Sequence, residues 1–173
     1  MKKGLLIVHT GHGKGKTTAA LGMALRTLGH NLPVCIIQFI KGTWKYGELV
    51  SLKRFEDLLD IHVMGKGFTW KSIDLEKDRE YACKGWEMAK SIITANKHHL
   101  VILDELTYLI TYKMIDEDDV IDCLKNKPKD LHVIVTGRDA SEKLIDIADL
   151  VTEMCVIKHP LKDGIKAQKG IEF

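Results

Sequence analysis

Apolar positions along the chain fall into two kinds of run. Short unbroken runs at residues 5–9, 34–40, 100–103 and 131–136 predict strands covered on both faces, as in the middle of a parallel sheet. Residues 61–64 are a weaker third strand in chain order, and residues 150–157 a sixth. Between them the period changes. Leu21, Ala24, Leu25 and Leu28 recur at i, i+3, i+4 and i+7, one face of a helix that Gly29 is placed to end. Ala82, Trp86, Ala89 and Ile93 share a face of a long helix starting near Asp74. A polar helix spans residues 116–125 and Pro128 closes it. Ser141 caps a short helix with Glu142 and Asp146 in its first turns. The basic, glycine-containing tail at residues 158–173 is assigned no element. Strands alternating with helices imply parallel strands joined by right-handed crossovers. The fold class is α/β, a mostly parallel sheet of about six strands with helices on both faces. Ligands in such sheets sit beyond the carboxyl ends of the strands. The chemically suggestive segments, residues 10–17, 38–47, 65–70, 104–107 and 136–139, all follow a strand.

Composition narrows the function classes without naming one. The 173 residues suit a single domain, 1–173, with no repeat and no linker. A formal net charge of +2 gives no basic field for nucleic acid. No run approaches the roughly 18–20 apolar residues of a membrane span, and nothing reads as a signal peptide. Cys35, Cys83, Cys123 and Cys155 have no CxxC spacing, which argues against zinc or a disulfide framework and fits a reducing cytoplasm. Each is expected to be a small buried hydrophobe.

The segment TGHGKGKTT, residues 10–18, carries the strongest chemistry. It follows a strand, opens a helix and completes GxxxxGK[ST], with Thr10 in place of the first glycine. Gly11, Gly13 and Gly15 are expected to bring backbone N–H groups to phosphate oxygens. The helix N-terminus adds its positive end. Lys16 is expected to bridge outer phosphates, and the Thr17 hydroxyl to ligate magnesium. In VILDE, Asp104 and Glu105 end an apolar strand, where a carboxylate holds a metal directly or through water. The pair predicts binding of a nucleoside triphosphate with Mg²⁺ and leaves the reaction open. A small-molecule kinase calls for clustered arginines, whereas Arg26, Arg54, Arg79 and Arg138 are scattered. Only Arg138, after the fifth strand, stands where a site residue should. In GKGFTW, Phe68 and Trp70 lie two apart on a glycine-flanked loop and face the same way if extended. They either anchor that loop or offer a face to a large flat apolar ligand. Trp44 adds an aromatic near the same edge.

TGHGKGKTTAA, QFIKGTW followed by GE, GFTW, LDELTY, VTGRD and the tail KHPLKDGIKAQKGIEF occur in that order over nearly the whole chain. Together they resemble the P-loop type of ATP:corrinoid adenosyltransferase. The resemblance implies a RecA-like P-loop fold and transfer of the 5′-deoxyadenosyl group of ATP to the cobalt of a reduced corrinoid, with triphosphate leaving whole. It places Gly11, His12, Gly13, Lys14, Gly15, Lys16, Thr17 and Thr18 around the triphosphate, His12 without a side-chain role. ATP would lie reversed relative to ordinary P-loop enzymes, with the loop around its terminal phosphate. Mg²⁺ or Mn²⁺ would meet Thr17 and Glu105, with Asp104 the less certain of the acids. Arg138, and more weakly Arg26, would contact the nucleotide. Phe68 and Trp70 match aromatics that pack under the corrin and displace its lower axial ligand, with Trp44 a weaker match. A homodimer, a flavoprotein reductant and adenosylcobalamin biosynthesis or salvage follow from the same resemblance. Better-known members carry an N-terminal extension over the corrinoid. This chain starts at its first strand, so the corrinoid is expected to be either more exposed or covered by other segments such as residues 44–48 or the tail. A P-loop kinase and a non-catalytic, nucleotide-dependent corrinoid carrier are the alternatives.

Overall fold

The computed structural model describes residues 3–40, 47–64 and 75–172. Six strands form one sheet in the order β3-β2-β4-β5-β1-β6: β1 (Leu6–Thr10), β2 (Val34–Gln38), β3 (Leu59–Val63), β4 (Leu100–Asp104), β5 (His132–Thr136) and β6 (Leu150–Glu153). Every pairing is parallel. All strands therefore deliver their C-terminal ends to one edge. β5 separates β1 from β4, so groups leaving β1 and β4 meet across it.

Side chains alternate across the sheet. Leu6, Val8, Cys35, Ile37, Val101, Leu103, Val133 and Val135 belong to one core. It is closed by α3 (Leu75–Ala95), α4 (Leu106–Thr111), α5 (Glu117–Lys125) and α6 (Glu142–Ile147). Ala82, Trp86, Ala89 and Ile93 face it as their spacing requires. Ile7, Val34, Ile36, Leu100, Ile102 and Ile134 point the other way, against α1 (Lys16–Leu28) and α2 (Gly47–Leu52). The α/β reading thus holds, and the sheet is wholly parallel. Two helices are capped as their sequences suggest. Asp116 accepts from Asp118 N–H at the start of α5, and Ser141 from Leu144 N–H at the start of α6.

Some expectations need correction. The buried stripe of α1 is Lys16, Ala20, Ala24 and Leu28, while Leu25 is 53% exposed. Small alanines let the helix lie close to the sheet, and that contact is narrower than the apolar stripe. β6 stops at Glu153 because the next residue turns onto the glycine loop. Among the cysteines Cys35 is buried and Cys123 partly so, but Cys83 and Cys155 are exposed. Burial, aided by the Asp60 charge, pushes the Cys35 thiol up to about 12. Helix α4 was not foreseen. It has six residues and its preceding residue is Glu105, not a Ser, Asn or Asp cap.

Candidate active site

The loop after β1 fits between two constraints. Gly11 and Gly15 have φ of 91° and 112°, conformations that L side chains avoid. Gly13 is needed for closeness: a Cβ there would lie 2.6 Å from Met154 O. Its N–H donates to Met154 O at 2.5 Å, and Met154 N–H donates to Thr10 O at 2.8 Å. The front of the loop is thus clamped to the chain leaving β6. This corrects the expectation that all three glycines turn N–H groups inward, because that of Gly13 is committed to Met154. Thr10 is buried and its hydroxyl accepts from Ala140 N–H at 3.1 Å, tying in the chain after β5.

Lys16 opens α1 and is 7% exposed. Its ammonium donates to Gly11 O at 2.6 Å and Gly13 O at 2.7 Å, folding the loop around itself. Burial lowers its pKa, the Glu105 and Asp139 carboxylates raise it, and Arg138 lowers it. The first turn of α1 contains no acidic residue and Gly15 offers no side-chain cap. Its free amides and helix dipole therefore favour an incoming anion.

The acid pair lies across β5 from this loop. Asp104 is 1% exposed, and three donors converge on it. The hydroxyls of Thr17 and Thr136 reach Oδ1 at 2.9 and 2.8 Å, and Gln38 Nε2 lies 3.4 Å from Oδ2. Glu105 follows at φ 64°, a left-handed turn for a residue with a side chain. Its N–H donates to Thr136 Oγ1 at 2.9 Å. The alternation explains the cluster. Gln38, Asp104 and Thr136 end their strands on the α1 face, as does His9 one residue before the end of β1, and register sets Gln38 beside Asp104 and His9 beside Thr136. Gln38 and Thr136 were not singled out from sequence. The available signal was that the buried apolar runs of β1, β2, β4 and β5 are each followed directly by a polar residue, His9, Gln38, Asp104 and Thr136.

The remaining candidates are dispersed. His12 pairs with Asp139 at 3.1 Å, both well exposed, joining the loops after β1 and β5. Lys14 pairs with Glu172 of the tail, so its ammonium points away from the cradle. Thr18 is exposed on α1. Arg138 is exposed at the active edge, close enough for its charge to act on Lys16 and Tyr108. Arg26 is not brought there. It lies in the last turn of α1, ten residues beyond Lys16, or about 15 Å along the helix. Trp44, Phe68 and Trp70 lie outside the described residues.

Among the described residues no group of three or more His, Cys, Asp or Glu forms a protein-only metal cage. Thr17 hydroxyl, Asp104 and Glu105 make an oxygen donor set of the sparse kind used for Mg²⁺, which keeps waters and substrate phosphates as its other ligands. The residues therefore fit such an ion.

Comparison with known proteins agrees with this geometry. The model of the ATP:corrinoid adenosyltransferase family BtuR/CobO/CobP matches residues 2–173. A corrinoid adenosyltransferase of a Sinorhizobium species is 47% identical over 174 residues, 99% of this chain and 81% of that protein. Those of Pseudomonas aeruginosa and Escherichia coli K12 are 43% and 40% identical over 99% of this chain, covering 85% and 87% of theirs. Among solved structures, the flagellar accessory protein FlaH from Methanocaldococcus jannaschii superposes with a TM-score of 0.63 at 14% identity. That match covers 88% of this chain and 72% of FlaH, a likeness of fold alone.

Proposed function

Because this chain belongs to the ATP:corrinoid adenosyltransferase family, a set of enzymes on a RecA-like P-loop fold, we propose how its own residues carry out ATP-dependent adenosylation of a corrinoid. The reduced cobalt attacks C5′ of the ribose and supplies both electrons of the new cobalt–carbon bond. The C5′–O bond breaks and the triphosphate leaves whole with its electron pair. A nucleophile of that strength needs no side-chain base. The protein's work is then to hold, orient and neutralise the leaving group.

Lys16 does most of this. Its ammonium moves from the carbonyls of Gly11 and Gly13 to phosphate oxygens, which gather along the loop of Gly11, His12, Gly13, Lys14, Gly15, Thr17 and Thr18 and at the amides of α1, with the Gly13 N–H staying on Met154 and the Lys14 ammonium on Glu172. Thr17 and Glu105 would hold a Mg²⁺ or Mn²⁺ ion, which would supply positive charge to neutralise the triphosphate. Asp104 orients the Thr17 hydroxyl by accepting its hydrogen bond. Arg138 adds a cation at the same edge. Phe68 and Trp70, with Trp44, pack against the corrin, a flavoprotein delivers electrons, and two copies form the cytoplasmic enzyme. What supports the reading is one observation. The buried Lys16 ammonium and the Thr17–Asp104 hydrogen bond converge at the C-terminal edge of the sheet, in a chain matched over residues 2–173.

The test is product analysis with ATP and reduced corrinoid. Growth of cobalt–carbon absorbance in step with inorganic triphosphate is expected. ADP formed at a comparable rate without corrinoid would overturn the proposal in favour of phosphoryl transfer. Corrinoid binding without turnover would leave only a carrier.

A further inference from the structure

Thr136 ends β5 with no exposed surface, and nothing in the reading above gives it a ligand. Its hydroxyl nevertheless makes two bonds. It donates to Asp104 Oδ1 at 2.8 Å and accepts from Glu105 N–H at 2.9 Å. One small group thus holds the side chain of the first acid and the main chain of the second. Because β5 lies between β4 and β1, that group also sits between the acid pair and the phosphate loop.

The turn it holds is one the chain would not choose. Glu105 sits at φ 64° and ψ 28° and precedes α4 directly. A relaxed Glu105 would join the helix in the right-handed region. The next residue of β5's exit works toward the same end. Gly137 is at φ 144°, and a Cβ there would lie 1.9 Å from Thr107 Oγ1. The end of β5 is therefore bonded to the exit of β4 at Thr136 and lies tightly against it at Gly137.

We propose that Thr136 is a positioning residue for the metal–triphosphate site, holding Asp104 and the left-handed Glu105 turn so that the Glu105 carboxylate and the Thr17 hydroxyl face one point. This rests on the site reading given above. Oδ1 of Asp104 is shared by Thr17 and Thr136. Without the Thr136 donor that carboxylate keeps Thr17 and Gln38 but loses one of the two donors on Oδ1, so the acceptor that Thr17 uses is held less firmly. Without the Thr136 acceptor the Glu105 N–H is unpaired and the turn relaxes, carrying the acid away.

The experiment compares Thr136→Val, which keeps the shape and loses the hydroxyl, with Thr136→Ser, which keeps the hydroxyl. Mn²⁺ binding in the presence of ATP is read by electron paramagnetic resonance, ATP binding without metal by calorimetry, and folding by thermal melting. Thr136→Val should weaken Mn²⁺ binding by about 10-fold or more, the loss expected for a bond to a charged group. Metal-free ATP binding should stay at its wild-type value, and Thr136→Ser should restore the metal. A folded Thr136→Val with wild-type Mn²⁺ affinity overturns the inference, as does equal loss in the Ser and Val variants. If Thr136→Val does not fold, Thr136→Cys, with its weaker hydrogen-bonding group, should show an intermediate loss. Wild-type affinity there overturns the inference too. Glu105→Gln and Thr17→Ala are measured alongside. If neither alters Mn²⁺ binding, the site reading itself fails. If both do and Thr136→Val does not, only the positioning role fails.

Discussion

At the scale of single residues, the same burial that shapes the site sets two measurable behaviours. Lys16 holds its own loop closed through Gly11 O and Gly13 O. Removing it takes away both the loop's internal tie and the cation proposed to meet the triphosphate. Lys16→Ala should lower the rate of triphosphate release by about 10²–10³-fold, the usual effect of losing a group that stabilises developing negative charge. A loss under twofold would mean that the α1 amides suffice. His9 pairs in register with Thr136 and is 5% exposed, with neither ring nitrogen hydrogen-bonded among the described residues. Burial pushes its imidazole below the ordinary 6.5. The unfolded chain therefore binds a proton near that pH that the folded chain resists. Stability is full above about 6.5 and falls as pH drops toward the folded value. His132 acts in the same direction, lowered first by burial and then by His99 and Lys127. The melting temperature should decline between pH 7 and pH 5.5, and His9→Leu should flatten that decline. An unchanged slope in the variant would remove His9 from the account.

At the scale of elements, glycines separate helix propensity from loop packing. Gly22 lies on the exposed side of α1, and a Cβ added there meets nothing within 4 Å. Gly22→Ala should stabilise the protein by about 1 kcal/mol, the ordinary propensity gain. For a chain of this size that is a rise of roughly 2–4 °C in melting temperature. Gly13→Ala inserts the same methyl 2.6 Å from a backbone oxygen of Met154. It should break the clamp between the loop and the chain after β6 and weaken ATP binding, measured by calorimetry. If both variants bind ATP as the wild type does, the clamp is not needed to shape the cradle. Most of these elements were legible because their periods are strong. Leu6, Val8 and Ile7 need a covered sheet, and Ala82, Trp86, Ala89 and Ile93 need one helix face. The loop and acid pair were legible because their residue types recur with fixed spacing. Thr136 and Gln38 were not, because one polar residue after an apolar strand carries no spacing signal. Only the register of the sheet reveals that four such residues form a row. α4 was missed for a similar reason. Its start is fixed by a hydrogen bond from Glu105 N–H to a residue 31 positions away, not by a local cap. The burial of Lys16, and not Leu25, against the sheet depends on how α1 is set down on it, which its own period leaves undetermined.

For the whole molecule, the parallel sheet collects the exits of β1, β4 and β5 at one edge, and the assembled contacts concern phosphate and metal. The chemistry proposed, however, needs two grips. One must hold the triphosphate as a leaving group, and another must set the cobalt in line with C5′. The exits of β2 and β3 reach the same edge and lead into the segments containing Trp44, Phe68 and Trp70. The two functions should then be separable by substitution. Phe68→Ala or Trp70→Ala should leave ATP affinity and melting temperature near wild type while lowering the rate from a Co(II) corrinoid, where the lower ligand must be lost before reduction. With corrinoid chemically reduced to Co(I) beforehand, the deficit should shrink, because cobalt without a lower donor is already the form that attacks. Lys16→Ala should impair both assays equally, because the triphosphate must leave in each. Equal impairment of both assays by the aromatic variants, together with lower ATP affinity, would instead assign Phe68 and Trp70 to holding the loop in place.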